Sequence, residues 1–310
     1  MDLKEYVALP KERLDEIILK GKKEKNILIL AHNYTRPEIL EIADFIGDSL
    51  DLSRKAKEAE EKIILFAGVL FMAETAKILN PEKKILVPDL QATCPLASSA
   101  AYSDVADIKK QYPDAHFVSY VNSSAETKSI VDICCTSSNA VDVVNSLPDG
   151  KIVFLPDKNL GSYAKEKTKR DIILWDGFCY VHEMITPEYI LAARKKHPDA
   201  VIIIHPECPP ESVKLADIVG STALMYRYAH EHPDKKIILA TEIGLIERLK
   251  MEIPGSTILP AKSTAVCSNM KINTLAKVAR SINELIFEVE IPDNILNAAR
   301  QSIEKMIQIG

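Results

Sequence analysis

The chain has 310 residues, 47% hydrophobic and 27% charged, a balance that excludes a disordered or collagen-like protein and supplies core for two or three modest domains. Lysine and arginine together number 39 against 44 acidic residues, so the net charge of −5 provides no basic field for nucleic acid or an anionic membrane and favours a small-molecule partner. The longest apolar run stops at Glu74, short of the roughly 18 residues a membrane span needs, and no basic region followed by an apolar one opens the chain, so a cytoplasmic location is expected.

In chain order, a helix is expected from Pro10 to Lys23, followed by the strand-like run 26-NILILAHNY-34. Gly47-Asp48-Ser49 then opens a helix, a middle strand covers Lys62 to Ala67, and the run 83-KKILVPDLQATC-94 ends at a cysteine. The same series returns as 116-HFVSYVNS-123, Thr136-Ser137-Ser138-Asn139, Lys151 to Leu155 and 171-DIILWDGFC-179. It returns again as 200-AVIIIHPEC-208, Gly220-Ser221-Thr222, Lys236 to Ala240 and 256-STILPAKSTAVC-267, before a C-terminal helix from Asn269 onward. Each first run closes on a polar pair two residues apart: His32 and Tyr34, Tyr120 and Asn122, His205 and Glu207.

These pairs lie 88 and 85 residues apart; the serines Ser49, Ser137 and Ser221 follow them by 17, 17 and 16, and the cysteines by 62, 59 and 62. Three feature types in one order at one period indicate an internal triplication of strand, helix, strand, helix, strand units. Runs rich in Ile, Val and Leu that alternate with helices are those of parallel strands covered on both faces. The fold expected is therefore α/β: three pseudo-threefold-related three-layer αβα domains with small parallel sheets, bounded at 1–109, 110–197 and 198–310, with the active site at their central junction. The terminal helices should pack against the repeats.

Ligands of parallel sheets bind beyond the strands' carboxyl ends, where the polar pairs and Cys94, Cys179 and Cys267 fall. Taken singly, a cysteine is most often a small buried hydrophobe. One per repeat, converging on a threefold axis, makes a three-thiolate pocket with one metal position left over. For zinc that is an open catalytic site; for a [4Fe-4S] cluster it is one iron free to act as a Lewis acid. Cys134 and Cys135 read as strand core, and Cys208, without a repeat counterpart, stays outside the ligand set. His32 and His205 could simply cap strands, and Tyr34 and Tyr120 could be core aromatics, but Glu207 beside His205 is placed for proton transfer. Ser49, Ser137, Ser221 and Thr222 look first like helix N-caps; three such helix ends turned inward would also hold a polyanion without Lys or Arg. No GxGxxG or Walker loop is present, so neither dinucleotide nor ATP is indicated.

At these positions the chain resembles the quinolinate synthase family, in 31-AHNY-34, 43-ADFIGDSLDLS-53, 120-YVNSSAE-126, 136-TSSNA-140, 175-WDGFCYVHE-183, 205-HPEC-208, 216-ADIVGST-222 and 267-CSNMKINTL-275. The resemblance runs essentially end to end. It implies condensation of iminoaspartate with dihydroxyacetone phosphate to quinolinate, phosphate and two waters in de novo NAD biosynthesis, with Cys94, Cys179 and Cys267 holding a [4Fe-4S] cluster. On this reading Glu207 and His205 transfer protons and Tyr34, Tyr120 and His182 assist. His32, Ser49, Asn122, Ser137, Ser221 and Thr222 bind substrate, and the enzyme that supplies iminoaspartate is a candidate partner. Thr93 and Thr35 depart from the small residue and the glutamine usual in the family, without removing a functional group. The competing readings are a three-cysteine zinc lyase or hydrolase and a non-catalytic Fe-S metabolite sensor; the sensor's expected basic DNA-binding helix is absent.

Overall fold

The computed structural model of the chain describes residues 2–309. Its frame is three four-stranded sheets. The first holds β1 (Ile27–His32), β2 (Phe45–Gly47), β3 (Ile63–Ala67) and β4 (Lys84–Leu86) in the order β2-β1-β3-β4. The second holds β5 (His116–Tyr120), β6 (Ile133–Cys135), β7 (Ile152–Leu155) and β8 (Ile172–Leu174) in the order β6-β5-β7-β8. The third holds β9 (Val201–Ile204), β10 (Ile218–Val219), β11 (Lys236–Ala240) and β12 (Thr257–Pro260) in the order β10-β9-β11-β12. Every strand pair within the three sheets is parallel. The central strand β1 is buried along its whole length, the state that Ile-Leu-Ile-Leu without alternation demands.

The fourth strand of each sheet corrects the three-strand unit expected from sequence. β2, β6 and β10 are only two or three residues long, too short for an apolar run to announce them. A signal did precede each of them. Asp44, Asp132 and Asp217 carry the same 88 and 85 spacing, and each carboxylate accepts the amide of Ile29, Phe117 or Ile202 at 2.8, 2.7 and 2.8 Å. A carboxylate just before the edge strand thus pins the neighbouring central strand in register in all three sheets.

The N-terminal helix runs Lys11–Lys25, close to expectation, and lies against the helix Leu275–Glu284. Their approach is close because Gly21 has no side chain: a Cβ there would stand 2.6 Å from Ile282 Cγ2. Instead of one C-terminal helix, the chain makes two: the first stops at Glu284, where Leu285 takes the left-handed conformation, and the second, Asp293–Gln308, starts behind Pro292. That last helix packs on β6 and on the helix Leu70–Leu79, and one apolar core spans the first and second sheets. The third sheet sits between two smaller clusters of its own. Among the described residues no helix is long and apolar enough to cross a membrane.

Each sheet reverses its winding between its two central strands, and that switch point is where loops part to leave a crevice. His32 to Tyr34 and Val69, Tyr120 to Asn122 and Asp157, and His205 to Glu207 and Glu242 follow those strand pairs. The three crevices meet in the middle of the molecule.

Candidate active site

A cavity at this meeting point is lined from all three sheets, by His32, Tyr34, Ser49 and Cys94, by Tyr120, Asn122, Ser137, Cys179 and His182, and by His205, Glu207, Thr222 and Cys267. No Lys or Arg lines it. Every residue proposed from sequence for the site faces it except Ser221.

Glu207, only 3% exposed, is the hub. Tyr120 donates its hydroxyl to Oε1, and His182 Nδ1 stands 3.0 Å from Oε2. His182 Nε2 lies 3.0 Å from Thr241 Oγ1, which pairs with the Tyr34 hydroxyl at 2.7 Å. A continuous chain of exchangeable protons therefore runs from Tyr34 to Glu207. His182 and His205 stack at 4.4 Å. Burial works to raise the Glu207 carboxyl, but the His182 and His205 imidazoles and the hydrogen bonds from His182 and Tyr120 outweigh it and bring it down to about 2. Glu207 is an anion at neutral pH.

His32 and His205 share one geometry. The amide two residues on, of Tyr34 or Glu207, donates to Nδ1 at 3.2 or 3.4 Å. An Nδ1 that accepts leaves the proton on Nε2. Burial lowers both imidazoles to about 3, against the pull of Glu207, so each is a neutral N–H donor. Thr35 closes the first of these loops by donating its hydroxyl to the His32 carbonyl at 2.9 Å. Burial, followed by the charge of Glu207, keeps Tyr34 and Tyr120 protonated far above the ordinary range.

The three cysteines also share one geometry. Cys94 and Cys179 cap the short helices Pro95–Ser98 and Tyr180–Glu183, and Cys267 precedes the turn Met270–Ile272. Each sulfur accepts the amide three residues on, of Ala97, His182 or Met270. Burial pushes all three thiols up, Cys94 to about 12, and Cys94 feels both other sulfurs. Amides aimed at sulfurs whose ionisation is otherwise suppressed suit a group that binds thiolates, and a metal deprotonates a coordinating thiol outright. Cys179, His182 and Glu207 also bring one ligand atom each within 4.8 Å of the others, a second set able to hold a metal. Cys134, Cys135 and Cys208 are fully buried away from the cavity.

The serine equivalence needs correction. Ser49 is the first helical residue behind its cap, Asp48, whose carboxylate accepts the amides of Leu50 and Asp51 at 2.9 and 3.0 Å. Ser137 lies ahead of a helix that starts at Ala140. Only Ser221 is a cap, accepting the Leu224 amide. At the 88 and 85 spacing the partner of Ser49 and Ser137 is Thr222, and these three line the cavity. Ser221 matches the capping Asp48 in sequence, but Asp48 lines the cavity while Ser221 does not.

Several contributors escaped the sequence reading. Asn159 donates to the Glu207 carbonyl at 3.0 Å and to Glu183 at 2.7 Å, fixing the loop that carries Glu207. Asn33 donates to Thr222 Oγ1 at 3.1 Å and accepts from the buried Arg248 at 2.5 Å, so the Thr222 hydroxyl proton stays free for the cavity. Thr241 joins Tyr34 to His182. None stands in a chemically telling pattern; only the 88 and 85 spacing could have flagged Glu242 and Asp157 beside Val69.

The family model described as quinolinate synthetase A protein matches residues 16–308. A quinolinate synthase of Thermotoga maritima is 47% identical over 298 residues, 96% of this chain and 99% of its own. That of Thermodesulfovibrio yellowstonii is 46% identical over 301 residues, covering 96% and 98% of the two chains. That of Pyrobaculum aerophilum is 46% identical over 306 residues, covering 96% and 100%.

Proposed function

The chain belongs to the quinolinate synthetase A family, enzymes of NAD biosynthesis, and we propose that it joins iminoaspartate to dihydroxyacetone phosphate, giving quinolinate, phosphate and two waters. The observation that carries this reading is the meeting of three cysteines, one from each sheet, with an anionic Glu207 in one cavity.

Cys94, Cys179 and Cys267 would hold a [4Fe-4S] cluster. When bound, it supplies an iron without a protein ligand that polarises a substrate oxygen or nitrogen as a Lewis acid. The rest of the chemistry falls to the chain. Glu207 accepts a proton from the substrate carbon, and Tyr120 and His182 redistribute it, since both already bond to its oxygens. Nε2–H of His32 and of His205 donates to a substrate carbonyl or carboxylate oxygen. Ser49, Ser137 and Thr222, with Asn122, hold the anionic groups of the two substrates, a task the cavity must perform without Lys or Arg. The Asn122 Oδ1 is buried with no partner among the described residues, as expected of an atom reserved for a donor on the substrate. Ser221 supports this site from behind as a cap. A separate enzyme supplies the unstable imine.

The test is an anaerobic assay of quinolinate formation with iron and sulfide analysis of the same preparation. A brown protein with iron and sulfide that makes quinolinate supports the reading. A colourless protein with one zinc per chain would favour the three-cysteine zinc lyase or hydrolase, and metabolite binding without turnover would favour a sensor.

A further inference from the structure

Aligning the three sheets at their own spacing exposes a device on two of the three cysteines. The residue that caps the helix after each middle strand is Val69, Asp157 or Glu242, 88 and 85 residues apart. Asp157 is fully buried; Oδ1 accepts the Leu160 amide at 2.8 Å and Oδ2 accepts the Cys179 amide at 3.1 Å. Glu242 is also fully buried; Oε2 accepts the Gly244 amide at 2.6 Å and Oε1 accepts the Cys267 amide at 3.0 Å. Each carboxylate is thus a clamp with one oxygen on a helix and the other on a cysteine. Val69 has no side-chain cap and offers nothing to the loop before Cys94, which is tied instead by Leu70 N–H to the Ala92 carbonyl at 2.8 Å and by Asp89, whose carboxylate accepts the Gln91 amide at 2.8 Å.

A helix cap needs one acceptor, and serine or asparagine supplies it. A second buried acceptor on the cysteine amide needs another explanation, and it occurs twice at equivalent places with side chains of different length. Glu242 is further fitted to its place: a Cβ on Gly244 would meet Glu242 Oε2 at 2.8 Å, and Lys271 Nζ lies 3.5 Å from Oε1. We propose that Asp157 and Glu242 are positioning residues that fasten the Cys179 and Cys267 loops, so that both sulfurs are held for the metal group, a clamp that Cys94, with Val69 at the equivalent place, does not have. The proposal rests on the reading that these cysteines are its ligands. Groups that orient metal ligands from behind commonly change metal affinity 10- to 100-fold when removed.

The discriminating change is Asp157→Ser. Serine can still cap the Leu160 amide, but it has one short acceptor and releases the Cys179 amide. Glu242→Gln likewise leaves one acceptor for two amides and turns an N–H₂ toward the other. The anaerobically loaded protein is mixed with excess chromogenic ferrous chelator, iron release is followed by absorbance, and melting of the cluster-free form is recorded in parallel. Expected are release rates roughly 10- to 100-fold above the unaltered protein in both variants, with the cluster-free Asp157→Ser protein melting within a few degrees of it. Ser221→Ala, which removes a cap in the third sheet without touching a cysteine, should release iron at the normal rate. Unchanged release in Asp157→Ser, or equal acceleration in Ser221→Ala, would overturn the clamp. Full iron in Cys179→Ala would instead overturn the ligand reading, and the clamp with it. Should Glu242→Gln fail to fold, Asp157→Ser decides alone.

Discussion

Replacing Glu207 by glutamine removes one negative charge from the cavity while keeping its shape, and the structure predicts two separable results. Its two oxygens face two donors, the Tyr120 hydroxyl and His182 Nδ1. Glutamine offers one acceptor and one N–H₂, so one contact keeps its sense and the other must reverse. Both partners can reverse: the tyrosine hydroxyl can turn to accept, and His182 can move its proton to Nε2 and donate to Thr241, whose hydroxyl is 3.0 Å away. The fold should therefore lose little, with a melting shift of no more than a few degrees and unaltered iron content. Turnover is another matter, because an amide cannot accept the proton that the carboxylate takes. Loss of a general base costs roughly 10²- to 10⁴-fold, or about 2.7 to 5.4 kcal/mol in the barrier. With Glu207 at about 2 in the folded protein, the unaltered enzyme has its base ionised throughout the working range, so the deficit should be the same at pH 6 and pH 8. Anaerobic quinolinate formation at saturating substrates measures it. Turnover at the normal rate, or a deficit that closes on changing the pH, would refute the role.

Ala in place of Cys94, Cys179 or Cys267 should leave the protein without its cluster after anaerobic reconstitution, by iron and sulfide analysis, whereas Cys134→Ala should load fully because its sulfur faces Ser302 in the core at 3.4 Å. Thr222→Ala should weaken substrate binding about tenfold or more, measured calorimetrically, by losing a hydrogen bond to a charged group. Ser221→Ala should lower stability by about 1 kcal/mol with affinity intact, and the reverse pattern would mean the cap and the ligand had been exchanged. His32 and His205 bind a proton near 6.5 when unfolded and only near 3 when folded, so the folded state holds fewer protons between those values and stability must fall as pH drops from 6.5 toward 3. At pH 5 the cluster-free protein should be about 2 kcal/mol less stable for each histidine in urea titrations, and His32→Gln should remove its share; Glu207, lowered to about 2 by folding, begins to lose its own contribution only below about pH 5, where its unfolded form takes up a proton, so the histidine share is read at pH 5 and above.

The repeat, the parallel α/β class and most of the cavity lining were legible in the sequence because they depend on local and periodic features. Ile-Leu-Ile-Leu at 27–30 cannot be satisfied with one face in water, and a cysteine recurring at one place in each unit is not expected of core packing. Tertiary structure decided what has no local signature. The edge strands β2, β6 and β10 owe their pairing to a neighbour already in place, so two or three residues suffice. Ser221 and Thr222 are adjacent and chemically alike, and only the start of the helix determines which hydroxyl caps an amide and which faces the cavity. Asp157 and Glu242 look like ordinary helix caps along the chain. Their second oxygens meet Cys179 and Cys267, 22 and 25 residues away, only because the strands on which those loops depend lie side by side in a parallel sheet. A side chain's type is written in the sequence, but its partner is set by which strand ends the fold brings together.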